Sequence, residues 1–362
     1  MLLSIEKLIY GGDGLARAPG ADGRSMAVFV PFVLPGELVE VEIRQEKAGF
    51  ARGLVTRLIE PLPDRVDARC PYFLQCGGCH YQHIPYARQL KLKAEILRET
   101  LQRVAKIELR PEIRLHASPP WNYRNRIRLQ VRIAPEFALG YFRFGLHEFL
   151  PVRECPISSP LINRAMPRLL ELGGLNCPPV VEEMELFGDA ADERLMVSVF
   201  CGREADGREL LRWAEALGAL PEISGVTFFS SRRRGEEDEM PESKALAQSG
   251  AKAIRYRTKD HEYQVSAGSF FQVNRYLVDE LVSVVTGNAS GDTALDLYAG
   301  VGLFSAALAG KFRHIFAVEA SHTSHADLIQ NVPANVKAVG ARTGDYLRDS
   351  CRKGRAAQKR PD

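Results

Sequence analysis

Apolar positions in the first sixty residues come in short bursts. Met26–Leu34, Leu38–Arg44 and Ala51–Leu58 are rich in Val, Phe and Ile, and turn formers such as Gly11-Gly12-Asp13-Gly14 and Pro35-Gly36 interrupt them. Strands at this spacing predict a small OB-like β-barrel over residues 1–60. Pro61-Leu62-Pro63-Asp64 then forms a stiff linker. Over Tyr86–Lys106 the period becomes helical, with Leu90, Ala94, Leu97, Leu101 and Val104 on one face and Arg and Lys opposite. From Trp121 to Cys201 strand-like runs alternate with loops, and Ser231–Ser243, three arginines followed by an acidic run, predicts a solvated loop between strands. From about Ala251 the pattern predicts a helix beginning near Gln272, a strand at Thr293–Leu297, a glycine turn, a second helix, a strand at His314–Val318 and a third run at Val336–Val339. Strand and helix in alternation predict a parallel α/β sheet. The chain thus divides into a barrel at 1–60, a central α+β segment at 61–250 and an α/β segment at 251–362.

Composition narrows the class without changing this division. The 362 residues are 45% hydrophobic and 26% charged, as in ordinary globular proteins of two or three domains. A net charge of +3 is too small to make the whole molecule basic, so affinity for nucleic acid has to come from local clusters of Lys and Arg. No apolar run approaches the roughly 18 residues of a membrane span. Met1–Tyr10 carries Glu6 and Lys7 where a signal peptide needs its apolar segment. These features exclude a secreted or membrane-spanning chain and predict a cytoplasmic protein, taken as a monomer.

Four constellations carry chemistry. Three of the seven cysteines, Cys70, Cys76 and Cys79, crowd into ten residues, with Cys155-Pro156 a fourth candidate. A disulfide framework spreads its cysteines, whereas this cluster suits metal ligation, and zinc and an iron–sulfur cluster both fit the spacing. Gly77 and Gly78 let the backbone fold tightly between the thiols. Cys177 and Cys201 read as core residues. The second constellation is Asp296-Leu297-Tyr298-Ala299-Gly300-Val301-Gly302-Leu303-Phe304, followed by Glu319 at the end of the next strand. Glycines where a strand turns into a helix admit a ligand to the backbone, and Glu319 can accept from both ribose hydroxyls of an adenosine. A dinucleotide fingerprint wants a third glycine where Ser305 stands. The acid ahead of the glycines suits the cationic sulfonium of S-adenosylmethionine, with a nicotinamide enzyme and a turn that binds nothing as the other readings.

The third constellation is a basic strand. Arg124, Arg126, Arg128 and Arg132 share one face by period two, opposite Ile127, Leu129 and Val131, at intervals of about 6.8 Å that can follow a phosphate backbone. A charged outer sheet face is the plainer alternative. The fourth is Gly268-Ser269-Phe270-Phe271-Gln272-Val273-Asn274, whose aromatics and amides can close over a cofactor or a flipped base or simply join the core.

Together these residues resemble the iron–sulfur-containing RNA (uracil-5-)-methyltransferases, in particular the bacterial 23S rRNA type, from Tyr10 to Asp362. Gly11–Arg17 with Val28–Val41 looks like the TRAM domain of that family, and Phe271–Asn274 and Asp296–Gly302 match its cofactor motifs. The resemblance implies a 4Fe–4S cluster on Cys70, Cys76, Cys79 and Cys155. It also implies S-adenosylmethionine contacts from Gln272, Tyr298, Gly300, Gly302, Glu319 and Asp345, and RNA contacts from the arginine strand. It implies a class I, Rossmann-like methyltransferase domain at 251–362, on which helix 86–106 packs. Its chemistry is methyl transfer to C5 of a uridine in a single-stranded RNA loop, rRNA being favoured. A cysteine thiolate adds to C6, C5 attacks the methyl sulfonium, and a base then removes the C5 proton.

In that family the nucleophile lies in a Ser-Cys-Asn-Pro segment downstream of Asp-Pro-Pro-Arg, with a glutamate base beyond. Neither motif occurs in these 362 residues, and Cys351, in the charged run Asp349–Gly354, lacks the motif. Ser290 is followed by room for about three strand–helix units, where the family's fold has about seven strands. The expectation is a C-terminally truncated enzyme with a partial α/β domain and no catalytic residue of its own, the nucleophile and base lying beyond Asp362. Such a chain keeps its cluster and RNA affinity without turnover. The alternatives are a methyltransferase acting on tRNA, a non-catalytic RNA-binding iron–sulfur protein, and a nicotinamide oxidoreductase, which Ser305 disfavours.

Overall fold

The structure is a computed structural model that describes all residues except 21, 22, 24, 203–205, 231–244 and 359–362, with side chains described as far as Arg352. The predicted loop Ser231–Ser243 lies outside the described residues. The chain forms two compact units, Met1–Ala117 with Tyr141–Leu150, and Ser118–Gly140 with Pro151–Asp362.

In the first unit, β1 (Leu2–Ser4), β2 (Lys7–Leu8), β3 (Gly14–Pro19), β4 (Ser25–Val30), β5 (Leu38–Lys47) and β6 (Phe50–Glu60) form one sheet in the order β1-β5-β6-β4-β3-β2. Alternation places Ala16, Val28, Val30, Val39, Val41 and Ala51 on its inner side, where they make a buried core with Leu3 and Ile5. The linker is held electrostatically as well as by its prolines. Glu37, with no exposed surface, takes both carboxylate oxygens to Arg65 at 2.8 Å and accepts the Leu34 amide at 2.8 Å.

Helix α1 (Tyr86–Thr100) continues through a wider turn at Leu101–Ala105 and stops at Lys106, whose φ of +58° is left-handed. Its apolar face, Leu92 and Ile96, packs with Leu8, Leu34, Leu62 and Ile84. The structure therefore groups this helix with the barrel within the first unit. The reason is that Leu8 and Leu34 supply the apolar surface that the helix stripe needs.

The larger sheet begins with β7 (Arg126–Arg132), β8 (Ala138–Phe142) and β9 (Phe149–Pro151), of which Tyr141–Leu150 is assigned to the first unit, and it continues in the second unit with α2 (Pro160–Asn176), β10 (Val181–Gly188), β11 (Leu195–Cys201), α3 (Gly207–Gly218), β12 (Ile223–Ser230) and β13 (Ala245–Gly250). Their sheet runs β13-β12-β11-β10-β7-β8-β9, antiparallel except for the β11–β12 pair. Ser159 caps α2 with Pro160 behind it, and Asp206 caps α3. Those helices pack on β10, β12 and β13. Phe187, Met196 and Phe229 join a second buried cluster with Tyr256, Tyr263, Phe271, Val301 and Leu303.

The hairpin β14 (Ala253–Arg257) and β15 (Glu262–Ser266) leads to α4 (Val278–Thr286). That helix begins six residues later than the sequence predicts, because backbone bonds to Tyr123–Asn125 hold residues 273–275 outside it. The Asn125 amide donates to the Val273 carbonyl at 3.0 Å, the Arg275 amide donates to the Tyr123 carbonyl at 2.9 Å, and Arg124 bridges Asn274. Then β16 (Gly291–Leu297), α5 (Leu303–Leu308), β17 (Phe312–Glu319), α6 (His322–Asn331) and β18 (Val336–Gly340) build a parallel sheet in that strand order, followed by α7 (Thr343–Gln358). Among the described residues no helix is long and apolar enough to cross a membrane.

Candidate functional site

The C-terminal ends of β16, β17 and β18 are aligned, since Leu297 pairs with Val318 and Glu319 with Gly340. In parallel α/β sheets ligands bind at this edge, where strands end and helices begin. Tyr298 leaves β16 with φ +62°, Gly300 has φ +56° and Gly302 φ +93°. A bulky residue with positive φ is strained, and such strain gathers at binding sites. Tyr298 is 79% exposed. At Gly302 a Cβ would lie 2.8 Å from Leu328 Cδ1, so both the turn and the close approach to α6 require glycine.

Glu319 faces this turn. Its Oε2 accepts the Gly300 amide at 2.8 Å and its Oε1 the Ser321 amide at 2.7 Å. Each carboxylate oxygen has a second lone pair, so the group is oriented while still able to accept two hydroxyls. Asp296 is half-buried, and burial pushes its carboxyl above the usual carboxylate range against the opposing bond from Ser305. The buried Ser305 hydroxyl donates to Asp296 Oδ2 at 2.6 Å. The residue that breaks the dinucleotide fingerprint thus orients the acid in front of the glycines.

Gln272 comes to the glycine turn through packing, since its neighbour Phe271 is buried with Val301 and Leu303. Its carbonyl accepts from Asn125 Nδ2 at 3.0 Å. Phe270 is 59% exposed between the buried Ser269 and Phe271. Asp345 lies exposed in the first turn of α7, just past Gly340, and pairs with Arg348. The structure joins Glu319 to the glycine turn directly, whereas Gln272 follows Phe271, which shares a buried cluster with Val301 and Leu303, and Asp345 lies on the helix after β18. A cleft of about 800 Å³ elsewhere is lined by Arg128, Glu183, Phe200 and Gly268, and by none of these cofactor candidates.

The arginine strand faces carboxylates on the neighbouring strand. Alternation on β7 is as predicted, but Arg126 is largely buried, paired with Glu185 at 3.1 Å and 4.2 Å above the Phe187 ring. Arg128 pairs with Glu183 at 2.7 Å and lies 3.8 Å over Phe200. Glutamates on β10 neutralise the middle of the row, and Arg124 is half-buried, so Arg128 and Arg132 are the exposed guanidiniums of the four. Alternation gives a side chain's face and says nothing of the carboxylates across from it.

The cysteines divide between the units, Cys70, Cys76 and Cys79 in the first and Cys155 in the second. No disulfide joins any of the seven. The Gly78 amide points at Cys76 Sγ at 3.4 Å, a thiolate-stabilising contact that fits the donor set. Among the described residues, however, no three His, Cys, Asp or Glu side chains converge on a metal-holding arrangement. Cys201 is a core thiol as predicted, whereas Cys177 is only half-buried just past the end of α2, and burial pushes both up to about 12. Missed by sequence were Asn125, Ser305 and Asp327, whose partners lie far along the chain or carry no motif of their own.

The TRAM domain family matches residues 1–56, and the tRNA (Uracil-5-)-methyltransferase family matches residues 247–340. An uncharacterized RNA methyltransferase of Aquifex aeolicus is 31% identical over 347 residues, 92% of this chain and 75% of that protein. The 23S rRNA (uracil(747)-C(5))-methyltransferase of Pyrococcus abyssi is 32% identical over 321 residues, 86% of this chain and 74% of that protein. In fold, the chain is similar to the crystal structure of Pyrococcus abyssi tRNA (uracil-54, C5)-methyltransferase in complex with S-adenosyl-L-homocysteine, with a TM-score of 0.68 and 22% identity over 93% of this chain and 79% of that one.

Proposed function

The chain belongs to the RNA (uracil-5-)-methyltransferases, and from that premise we propose that the ends of β16, β17 and β18 hold S-adenosylmethionine for methylation of a uridine at C5, with 23S rRNA as the substrate. The observation that carries the donor site is Glu319, fixed by two amides at the mouth of a left-handed glycine turn with acceptor capacity to spare. Glu319 takes the ribose hydroxyls, Gly300 and Gly302 give the ligand access to the backbone, and Tyr298, Gln272 and Asp345 border it. Bound there, S-adenosylmethionine would supply an electrophilic methyl on a sulfonium. Asp296 supports that positive charge, and a neighbouring cation in turn favours its ionised form.

The exposed face of Phe270 beside Gln272 offers a stacking surface for a base taken out of its helix. Arg128, Arg132 and the TRAM barrel supply RNA affinity. The 23S assignment follows the relative that acts on U747, and tRNA is the other outcome of a substrate test. Cys70, Cys76, Cys79 and Cys155 would hold a 4Fe–4S cluster with a structural and RNA-positioning role, since methyl transfer needs no electron from it.

Calorimetric titration with S-adenosylhomocysteine tests the donor site. Wild type should bind, and Glu319→Ala should bind at least about tenfold more weakly, having lost charge-assisted hydrogen bonds. A chain blind to both S-adenosylhomocysteine and S-adenosylmethionine would overturn the reading.

A further inference from the structure

Asp327, in the middle of α6, is 1% exposed, and its partners all come from one short stretch of chain. Oδ2 accepts the Ser266 amide at 2.8 Å and the Ser269 hydroxyl at 2.6 Å. Oδ1 accepts the Ser266 hydroxyl at 2.6 Å and Gln264 Nε2 at 3.1 Å. Four donors fill the four lone-pair sites of a carboxylate. Burying such a charge is costly unless it is fully hydrogen-bonded, and an apolar residue would hold a helix to a sheet at less cost. What the carboxylate adds is direction, because it fixes Ser266 and Ser269, the approach to Gln272, in one geometry.

The same helix touches the other parts of the donor site. At its N-terminus the Ser321 amide donates to Glu319 Oε1 at 2.7 Å. One turn beyond Asp327, Asn331 Nδ2 donates to the carbonyls of Gln264 and Val301, both at 2.9 Å, and its Oδ1 accepts the Gln264 amide at 2.8 Å. Leu328 lies against Gly302. The acid, the glycine turn and the Gln272 segment are thus referenced to one rigid element, and a site held by such a template is pre-organised for its ligand.

We propose that Asp327 is a positioning residue for the donor site, acting through Ser266 and Ser269 to place Gln272 against the glycine turn. The proposal rests on the reading of that turn as the S-adenosylmethionine site. It is tested in the full chain by two measurements, S-adenosylhomocysteine affinity by calorimetry and amide hydrogen exchange across residues 266–274. Asp327→Ala leaves the Ser266 amide and Ser269 hydroxyl without their acceptor, so affinity should fall about tenfold and exchange in 266–274 should speed by a similar factor. Asp327→Asn can keep Oδ2 for Ser266 and Ser269 while its amide donates to the Ser266 hydroxyl and to a flipped Gln264, so it should stay within about threefold of wild type.

Leu169→Ala, buried in α2 away from the site, serves as a control in which Tm falls with no selective loss of affinity. If Asp327→Ala does not fold, Ser269→Ala removes a single donor and should show the same two effects at smaller amplitude. Wild-type affinity and wild-type exchange in Asp327→Ala, or a loss no greater than that in Leu169→Ala at matched Tm, would overturn the proposal. A wild type that binds no S-adenosylhomocysteine would overturn the donor reading instead, and exchange across 266–274 would still decide whether Asp327 positions the segment.

Discussion

His83 is 3% exposed, stacked on Phe73 with ring centroids 5.6 Å apart. Burial, helped by the positive charge of Arg65 and opposed by a bond to the Val33 carbonyl, lowers its pKa from 6.5 to about 4. In the unfolded chain the same ring takes its proton near 6.5, so between these values the unfolded state binds more protons and stability falls as the pH falls. The loss is on the order of 3 kcal/mol by the lower limit. Thermal melts between pH 7 and pH 4.5 should show it, and His83→Gln should give a shallower dependence. An equal slope in the two proteins would count against the assignment. At this scale Glu319 was legible because a motif places it, with strand, glycine turn, strand and acid in order. Asp327 and Asn125 were not, because hydrogen bonding to residues 58 and 147 positions away gives each its meaning, and an isolated Asp in a helix looks like a surface residue.

Among elements, the glycine turn is the one whose backbone can be tested by a single methyl group. Gly302→Ala would place a Cβ at φ +93° and 2.8 Å from Leu328. The left-handed conformation alone costs about 1–2 kcal/mol, and the Leu328 and Val332 side chains have to shift as well. Denaturant unfolding should show a stability loss of about 2 kcal/mol or more, together with weakened S-adenosylhomocysteine binding, whereas Gly310→Ala, with nothing within 4 Å, should be mild. The strands of the barrel and of the parallel sheet were legible from apolar runs bounded by turn residues. The start of α4 was not, since Tyr123, Arg124 and Asn125 bind residues 273–275 outside the helix, and helical periodicity does not report such partners. The arginine face of β7 was legible as a face, but its pairing with Glu183 and Glu185 was not, because those residues belong to another strand.

For the whole molecule, barrel, central sheet and α/β segment were all visible as changes of period, yet the chain closes into two units because α1 shares its core with the barrel and Phe271 shares one with Phe187. Iron content is the measurement that decides the role of the cysteine set. Purified without oxygen, the protein should be brown and contain iron, and Cys76→Ser should lose both colour and iron. A colourless wild type carrying zinc would reject the 4Fe–4S assignment.

The hydrogen bond from Asn125 to the Gln272 carbonyl has a consequence for synthesis. It spans 147 positions, and closing so long a segment is entropically slow compared with forming a local helix. On the ribosome the central sheet emerges first, with the buried Asn125 amide still lacking that carbonyl. A nascent chain cannot place Gln272 until residues 272–275 have left the exit tunnel and docked beside Tyr123–Asn125, and Glu319 and Asp345 follow later still.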